Sequence, residues 1–342
     1  MPKPSSSLTP HMLASTRTLY TPSARSRSAI DVVVGVVFSV ALMISAPHQS
    51  AATPKTRVTL NGKSAPVYFN DGDSFRVLGG SLKGSKARLS GFNTLESYGA
   101  VHSWGDWTKK ELYALAKMGT YNAREGIWTC TSDLSKDTYG RYLWVCPDLV
   151  VDQIKKGYAH AMSVTAEPAK PAAVAAQREA VKNKRGIWAH GVPEYVLTSI
   201  HSATERSDGR PSYNRLVSSV DGHSLKVKHR DTYEECEDVC WQPSKADRYQ
   251  RFAQRWSRHA KVSPWVEGYD AEEREQLITA LIDQADSDAL WRDPSHRDAG
   301  VKAFEEMKSA GWVDAARSEL KTCMLYVDFR RRFGASRAVC LK

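Results

Sequence analysis

The chain has 342 residues, 42% of them apolar and 25% charged, with a formal net charge of +10. Such a composition belongs to a soluble globular protein and excludes a fibrous or low-complexity chain, and the length suffices for two modest domains, each with a core. The charge is uneven: residues 53–200 carry 20 Lys/Arg against 13 Asp/Glu, whereas residues 201–342 carry 24 of each. A polyanionic partner is therefore expected around 53–200, with plain solubility as the alternative.

In chain order, residues 1–30 hold Lys3, Arg17, Arg25 and Arg27 with no acid, and residues 32–46 form the apolar run VVVGVVFSVALMISA. Fifteen helical residues reach roughly 23 Å, short of a ~30 Å hydrocarbon core. With Ser50 and Ala52 as the small residues of a peptidase site, residues 1–52 read as an export signal and leader, or as an uncleaved anchor. Export implies a secreted, periplasmic or envelope location.

Three short runs, 57–60, 74–78 and 86–92, read as strands separated by Asn-Gly, Asp-Gly and Gly-Gly turns. Residues 107–118 have helical apolar spacing. GIWTCT and RYLWVCP read as a strand pair around the polar loop 132–140. Residues 150–156 and 171–185 read as helices, the second closed by Gly186 at C′. Strands first and helices later point to an α+β domain, a small β-barrel with helices packed at one end. Residues 201–212 read as a polar linker. Beyond it lie a hairpin turning at Asp221-Gly222 in type I′ geometry and a mainly helical module with apolar stripes Tyr249/Phe252/Ala253/Trp256 and Leu277/Ile278/Leu281/Ile282. The expected division is thus 1–52 leader, 53–200 barrel domain, 201–212 linker and 213–342 hairpin plus helical module. Within that module Arg248, Arg251, Arg255 and Arg258 recur at helical spacing, as a solvated face or as a second contact along phosphates.

Six cysteines agree with an oxidising compartment, and Cys236/Cys240 has no nearby His pair, so disulfides are the better reading than zinc. Cys130 and Cys146 flank the 132–140 loop and are expected to pair. Cys236, Cys240, Cys323 and Cys340 would tie an early C-terminal helix to the end of the chain, in either pairing.

The chemistry lies in an ordered set: Asp71-Gly72-Asp73, Arg88-Leu89, Asn93-Thr94-x-Glu96, Tyr139-Gly140-Arg141 and Gly186-Ile187-Trp188. Phosphodiester hydrolysis needs fixed positive charge or a hard cation at the phosphate, a carboxylate to take a proton from the attacking water, and guanidinium forks for phosphate oxygens. Taken singly, each residue has a plain reading: Asp-Gly as a turn, Arg88 as a charge satisfied by Glu96, Arg141 as a loop cap. As an ordered set, residues 55–190 resemble the staphylococcal-nuclease-like (thermonuclease) family, and residues 201–342 do not.

The resemblance implies a five-stranded OB-fold barrel with packed helices and cleavage of DNA and RNA, single-stranded or unpaired by preference, to 3′-phosphate ends. It implies Ca²⁺ held by Asp73, Asn93 and the Thr94 carbonyl, with Asp71 behind them. Glu96 becomes the general base, Arg88 and Arg141 the phosphate-holding pair, and Tyr139 a further substrate contact. The alternative is a weak or inactive OB-fold module that binds nucleic acid or protein.

The chain departs from the family at Asn93 and Leu95, where aspartate and proline are usual, and at Thr138, where the family has lysine. It also has Ser163 and Thr165 in place of base-stacking tyrosines. An amide oxygen is an ordinary calcium ligand, so Asn93 predicts a weaker site. Tyr98, Trp104 or Trp107 could replace the lost stacking, and His102, in the same segment, reads as a surface histidine or a supplementary phosphate contact.

Overall fold

A computed structural model describes residues 56–97, 99–328 and 340. The leader and Tyr98 lie outside the described residues. The first half of the fold comprises β1 (Arg57–Leu60), β2 (Lys63–Asp71), β3 (Ser74–Val77), β4 (Lys86–Leu89), β5 (Gly91–Thr94), β6 (His102–Trp104), α1 (Lys109–Glu125), β7 (Trp128–Cys130), β8 (Tyr142–Trp144), α2 (Pro147–Lys155), β9 (Ala159–Met162) and α3 (Pro171–Lys182). Local chemistry explains several boundaries. Thr108 and Glu111 cap α1 reciprocally, and Pro147 and Pro171 open α2 and α3. The α3 end differs from expectation: the left-handed residue after its Asn183 cap is Lys184 (φ 49°), and Gly186 instead starts a 3₁₀ turn packed on Gly157.

Six strands form one curled sheet in the order β7-β1-β2-β3-β4-β8. The run 86–92, expected as one strand, breaks because Gly91 takes φ 100°; β4 stays in the sheet while β5 pairs separately with β9. GIWTCT and RYLWVCP, expected to pair as neighbouring strands, are instead the two edges of the sheet, each parallel to its neighbour. They meet only where Thr131 and Val145 exchange backbone hydrogen bonds of 2.9 Å. The Cys130–Cys146 disulfide sits beside this contact. It closes the loop that carries Arg141, and replacing both cysteines by alanine is expected to lower stability by about 3 kcal/mol in the chain-entropy model. Denaturant titration of that variant checks it; an unchanged midpoint contradicts it. The core inside the sheet is built from Val58, Val67, Phe69, Phe75, Leu89, Trp144 and Leu149, all buried.

The second half adds β10 (Tyr195–Ser199), β11 (Ser212–Ser218), β12 (Ser224–His229), β13 (Asp238–Trp241), α4 (Lys245–Ser257), α5 (Ala271–Asp283), α6 (Pro294–Ser309), α7 (Trp312–Arg317) and β14 (Thr322–Leu325). Tyr249, Phe252 and Trp256 of α4 pack with Leu277, Ile278 and Ile282 of α5 and with Phe304 and Met307 of α6. The two stripes read from the sequence therefore meet in one core. The hairpin β11–β12 forms, but among the residues of its turn only Gly222 has positive φ, so the turn is not type I′.

The expected linker is packed rather than open. Residues 203–205 form a 3₁₀ turn, Ser202 and Ser212 are buried, and β10 pairs with β11 across the segment. Strand β14 pairs with β6, from the first half, as well as with β13. The described residues fall within one compact unit. Cys240–Cys323 joins β13 to β14, and Cys236 pairs with Cys340; the C-terminal cysteines thus tie strands and a loop, where a helix was expected. All six cysteines are paired, as befits an oxidising compartment. Among the described residues no helix is long and apolar enough to cross a membrane.

Candidate active site

Strand pairing collects the residues of the ordered set. The Asp71-Gly72-Asp73 turn joins β2 to β3 and presses onto β5: a Cβ on Gly72 would lie 2.5 Å from the Thr94 methyl. Only glycine fits there, which gives the middle residue of the triplet a steric reason. Asp71 Oδ1 accepts from the Asp73 amide and the Ser74 hydroxyl, fixing the turn. Arg88 lies opposite Ser74 on one side and Leu143 on the other. Arg141 immediately precedes β8, and it is linked to Arg88 through Asp137, which binds Arg141 and whose charge is felt at Arg88.

Asp73 is 2% exposed, and its carboxylate holds Arg88 Nη1 at 2.5 Å and the Thr94 amide at 3.0 Å. Arg88 Nη2 donates to Asn93 Oδ1 at 2.5 Å, and Asn93 Nδ2 donates to the Thr94 carbonyl at 2.7 Å. Burial pushes the Asp73 carboxyl up to about 8 against the pull of Arg88, and the charges of Asp71 and Glu96 push the same way. Burial opposes the Arg88 charge, yet Asp73, Asp71, Glu96 and Asp137 hold it more firmly protonated than usual. Four acidic side chains therefore act on one guanidinium, and the cluster is short of positive charge.

Arg141 is anchored by Asp137, which accepts its Nε at 2.7 Å and its amide at 2.9 Å. Its guanidinium lies 5.5 Å from the ring centre of Tyr139, itself 57% exposed. Asp137 was missed in the sequence; its signal was a carboxylate four residues before the arginine in a loop. Gln153 was missed as well: its amide donates to the Gly119 and Gly72 carbonyls, holding α1 to the Asp71–Asp73 turn. Glu96 follows β5, half-exposed, with the buried Leu95 anchoring the chain before it. Its charge is felt at both Asp73 and Arg88.

The donor set suits a hard cation in kind: a carboxylate, an amide oxygen and a carbonyl, with a second carboxylate behind and a deficit of positive charge. Among the described residues no group of three His, Cys, Asp or Glu is arranged to hold a metal. A calcium site here would therefore lean on the neutral oxygens of Asn93 and Thr94. Asp73 Oδ1 and Asn93 Oδ1 both bind Arg88, so a cation and this guanidinium compete for the same oxygens.

Other expectations around the site change. His102 is neither a surface residue nor a phosphate contact: it is 1% exposed on β6, under β14. Trp104 is buried, and Trp107 packs on the α1 core and donates to the Ile187 carbonyl, so neither replaces a stacking tyrosine. Ser163 and Thr165 are committed to the C-terminal hairpin. Ser163 donates its amide to the Gly222 carbonyl, and the Ser163 and Thr165 carbonyls accept the Ser224 hydroxyl and amide. The segment around Ser163 and Thr165 thus docks the second half of the fold. The α4 arginines are not a solvated face either: Arg248 is buried on the Ala316 and Pro243 carbonyls, Arg251 pairs with Glu194, and Arg255 with Asp221.

Set against known proteins, the chain matches no family model, and no curated protein matches it.

Proposed function

We propose that the chain is an exported, calcium-dependent nuclease of broad specificity, with the curled sheet serving as an OB-type barrel of the staphylococcal-nuclease-like kind. One observation carries the reading. Asp73 binds Arg88 directly, Asp71 and Glu96 act on its charge, and Asp137, which holds Arg141, acts on the same guanidinium. A purely structural pair would need one carboxylate; here Asp71 and the partly buried Glu96 add their charges to that of Asp73.

In this reading Arg88 and Arg141 grip the non-bridging oxygens of the scissile phosphate through guanidinium forks. Asp137 holds Arg141 by Nε, which leaves both of its Nη groups for substrate. Glu96 takes the proton of the attacking water. Tyr139 packs on the nucleotide next to Arg141. When bound, the cation would neutralise charge that builds on the phosphate as water attacks. Asp73, Asn93 and the Thr94 carbonyl would hold it, with Asp71 positioning the turn. The test is digestion of single-stranded DNA, RNA and plasmid DNA while Ca²⁺ is titrated, with product ends analysed for 3′-phosphate.

A second reading is favoured by one contact, the Asn93 amide on the Thr94 carbonyl. It satisfies a would-be ligand internally and suits a catalytically silent binding module. Asn93→Asp separates the two readings, because a carboxylate cannot donate to that carbonyl and adds an anionic ligand. The nuclease reading expects the Ca²⁺ concentration for half-maximal cutting to fall on the order of tenfold. No cutting by either protein at any Ca²⁺ concentration would favour the silent module.

A further inference from the structure

We propose that the cavity between α4, α7 and the β11–β12 hairpin binds a small phosphate monoester, up to the size of a mononucleotide. The cavity has a volume of about 520 Å³ and is remote in sequence from the nuclease cluster. That volume is in the ordinary range for small-molecule sites and far too small for a nucleic-acid strand to thread. Its walls include Arg251 and Arg255 of α4 and Arg258 at the helix's C-cap, together with Tyr195, His223 and Trp312.

The spacing of the α4 arginines puts four cations on one side of the helix, and the structure gives them different tasks. Arg248, 5% exposed, is spent on the Ala316 and Pro243 carbonyls. Arg251 grips Glu194 through Nε and Nη2, leaving Nη1. Arg255 donates Nη2 to Asp221 at 2.7 Å, leaving Nε and Nη1 as donors without a protein acceptor among the described residues. Arg258 has no side-chain partner among the described residues. Against these four guanidiniums stand Glu167, Glu194 and Asp221, so the cavity is one negative charge short.

The donors are also held in place before any ligand arrives. His223 Nδ1 and Asp221 Oδ1 are 2.6 Å apart, so the nitrogen carries the proton and donates it; Nε2 then accepts the Tyr195 hydroxyl at 3.1 Å. Asp221 is thereby fixed by His223 on one oxygen and binds Arg255 with the other. The Arg255 guanidinium stacks on Trp312 at 3.7 Å and that of Arg251 lies 5.7 Å from the Tyr195 ring centre. Burial lowers the Arg255 pKa, and the neighbouring Arg258 charge adds to this, which is the condition an incoming dianion would relieve. Forked donors over aromatic faces suit a phosphate attached to a planar ring.

The test is calorimetric titration of the purified full chain in chelator with adenosine monophosphate, adenosine, inorganic phosphate and citrate. The expected result is saturable one-site binding of adenosine monophosphate with Kd below about 1 mM, weakened roughly tenfold or more by Arg258→Gln. Arg255→Lys should weaken it similarly while keeping the charge on Asp221, and Arg88→Gln should leave it unchanged. Because the Arg258 side chain has no partner among the described residues, its variant should melt with the wild type. No saturation, an equal loss in Arg88→Gln, or binding of adenosine, phosphate or citrate as tight as that of the monoester would overturn the proposal. None of these outcomes depends on whether the chain cuts nucleic acid.

Discussion

Glu96→Gln is expected to slow DNA cutting by about 10² to 10⁴-fold while single-strand binding and the melting temperature hold. The change keeps the volume and one acceptor of the side chain, and removes only its charge and its capacity to take a proton. Glu96 is partly buried and follows Leu95, whose burial in the core anchors the backbone there. Its charge raises the Asp73 pKa and adds to the stabilisation of charged Arg88. Loss of that charge therefore relieves Asp73 and leaves Arg88 with three other carboxylates. A large kinetic loss without a stability loss is the signature of a reacting group. Cutting within about threefold of wild type would remove Glu96 from the chemistry.

Acidification from pH 7 to pH 5 is expected to destabilise the fold by up to roughly 2 kcal/mol for each of two buried histidines. His102 is 1% and His160 0% exposed. Neither His102 nitrogen makes a well-formed hydrogen bond beyond a weak contact with the Leu197 backbone, and His160 Nε2 has no partner. Burial pushes His102 down to about 3, helped by repulsion from His160, and pushes His160 down to about 4. Both folded values lie below the unfolded value of 6.5. The unfolded chain therefore binds more protons in this range. The stability is fully present above about pH 6.5 and is lost as pH falls toward the folded values. Urea midpoints at pH 7 and pH 5 measure it, and His102→Leu should remove about half of the difference. An equal pH dependence in the variant would contradict the assignment.

The sequence was most legible where a feature depends on neighbours along the chain. Thr108 and Glu111 cap α1 within one turn, the Cys130–Cys146 bridge spans a single hairpin-sized loop, and the Asp-Gly-Asp turn is local. Legibility failed where the deciding partner is remote. Arg255 reads as a surface cation until Asp221 is found 34 residues back, and Arg251 until Glu194 is found 57 residues back. His102 looked like a loop residue because nothing near it announces β14, which covers it from position 322 onward. Within the candidate site, the residue types and their order were readable. The competition between Arg88 and a cation for Asp73 and Asn93 was not, since it follows from side-chain geometry across two strands. The diversion of Ser163 and Thr165 into the hairpin was equally hidden, because their partner lies beyond the expected domain boundary.

The most direct test of the nuclease reading is a time course of plasmid and single-stranded DNA digestion by the purified protein in Ca²⁺ and in excess chelator. The account predicts nicking and fragmentation in Ca²⁺, to 3′-phosphate ends, and none in chelator. Intact DNA under both conditions, or digestion that chelator does not slow, would contradict it.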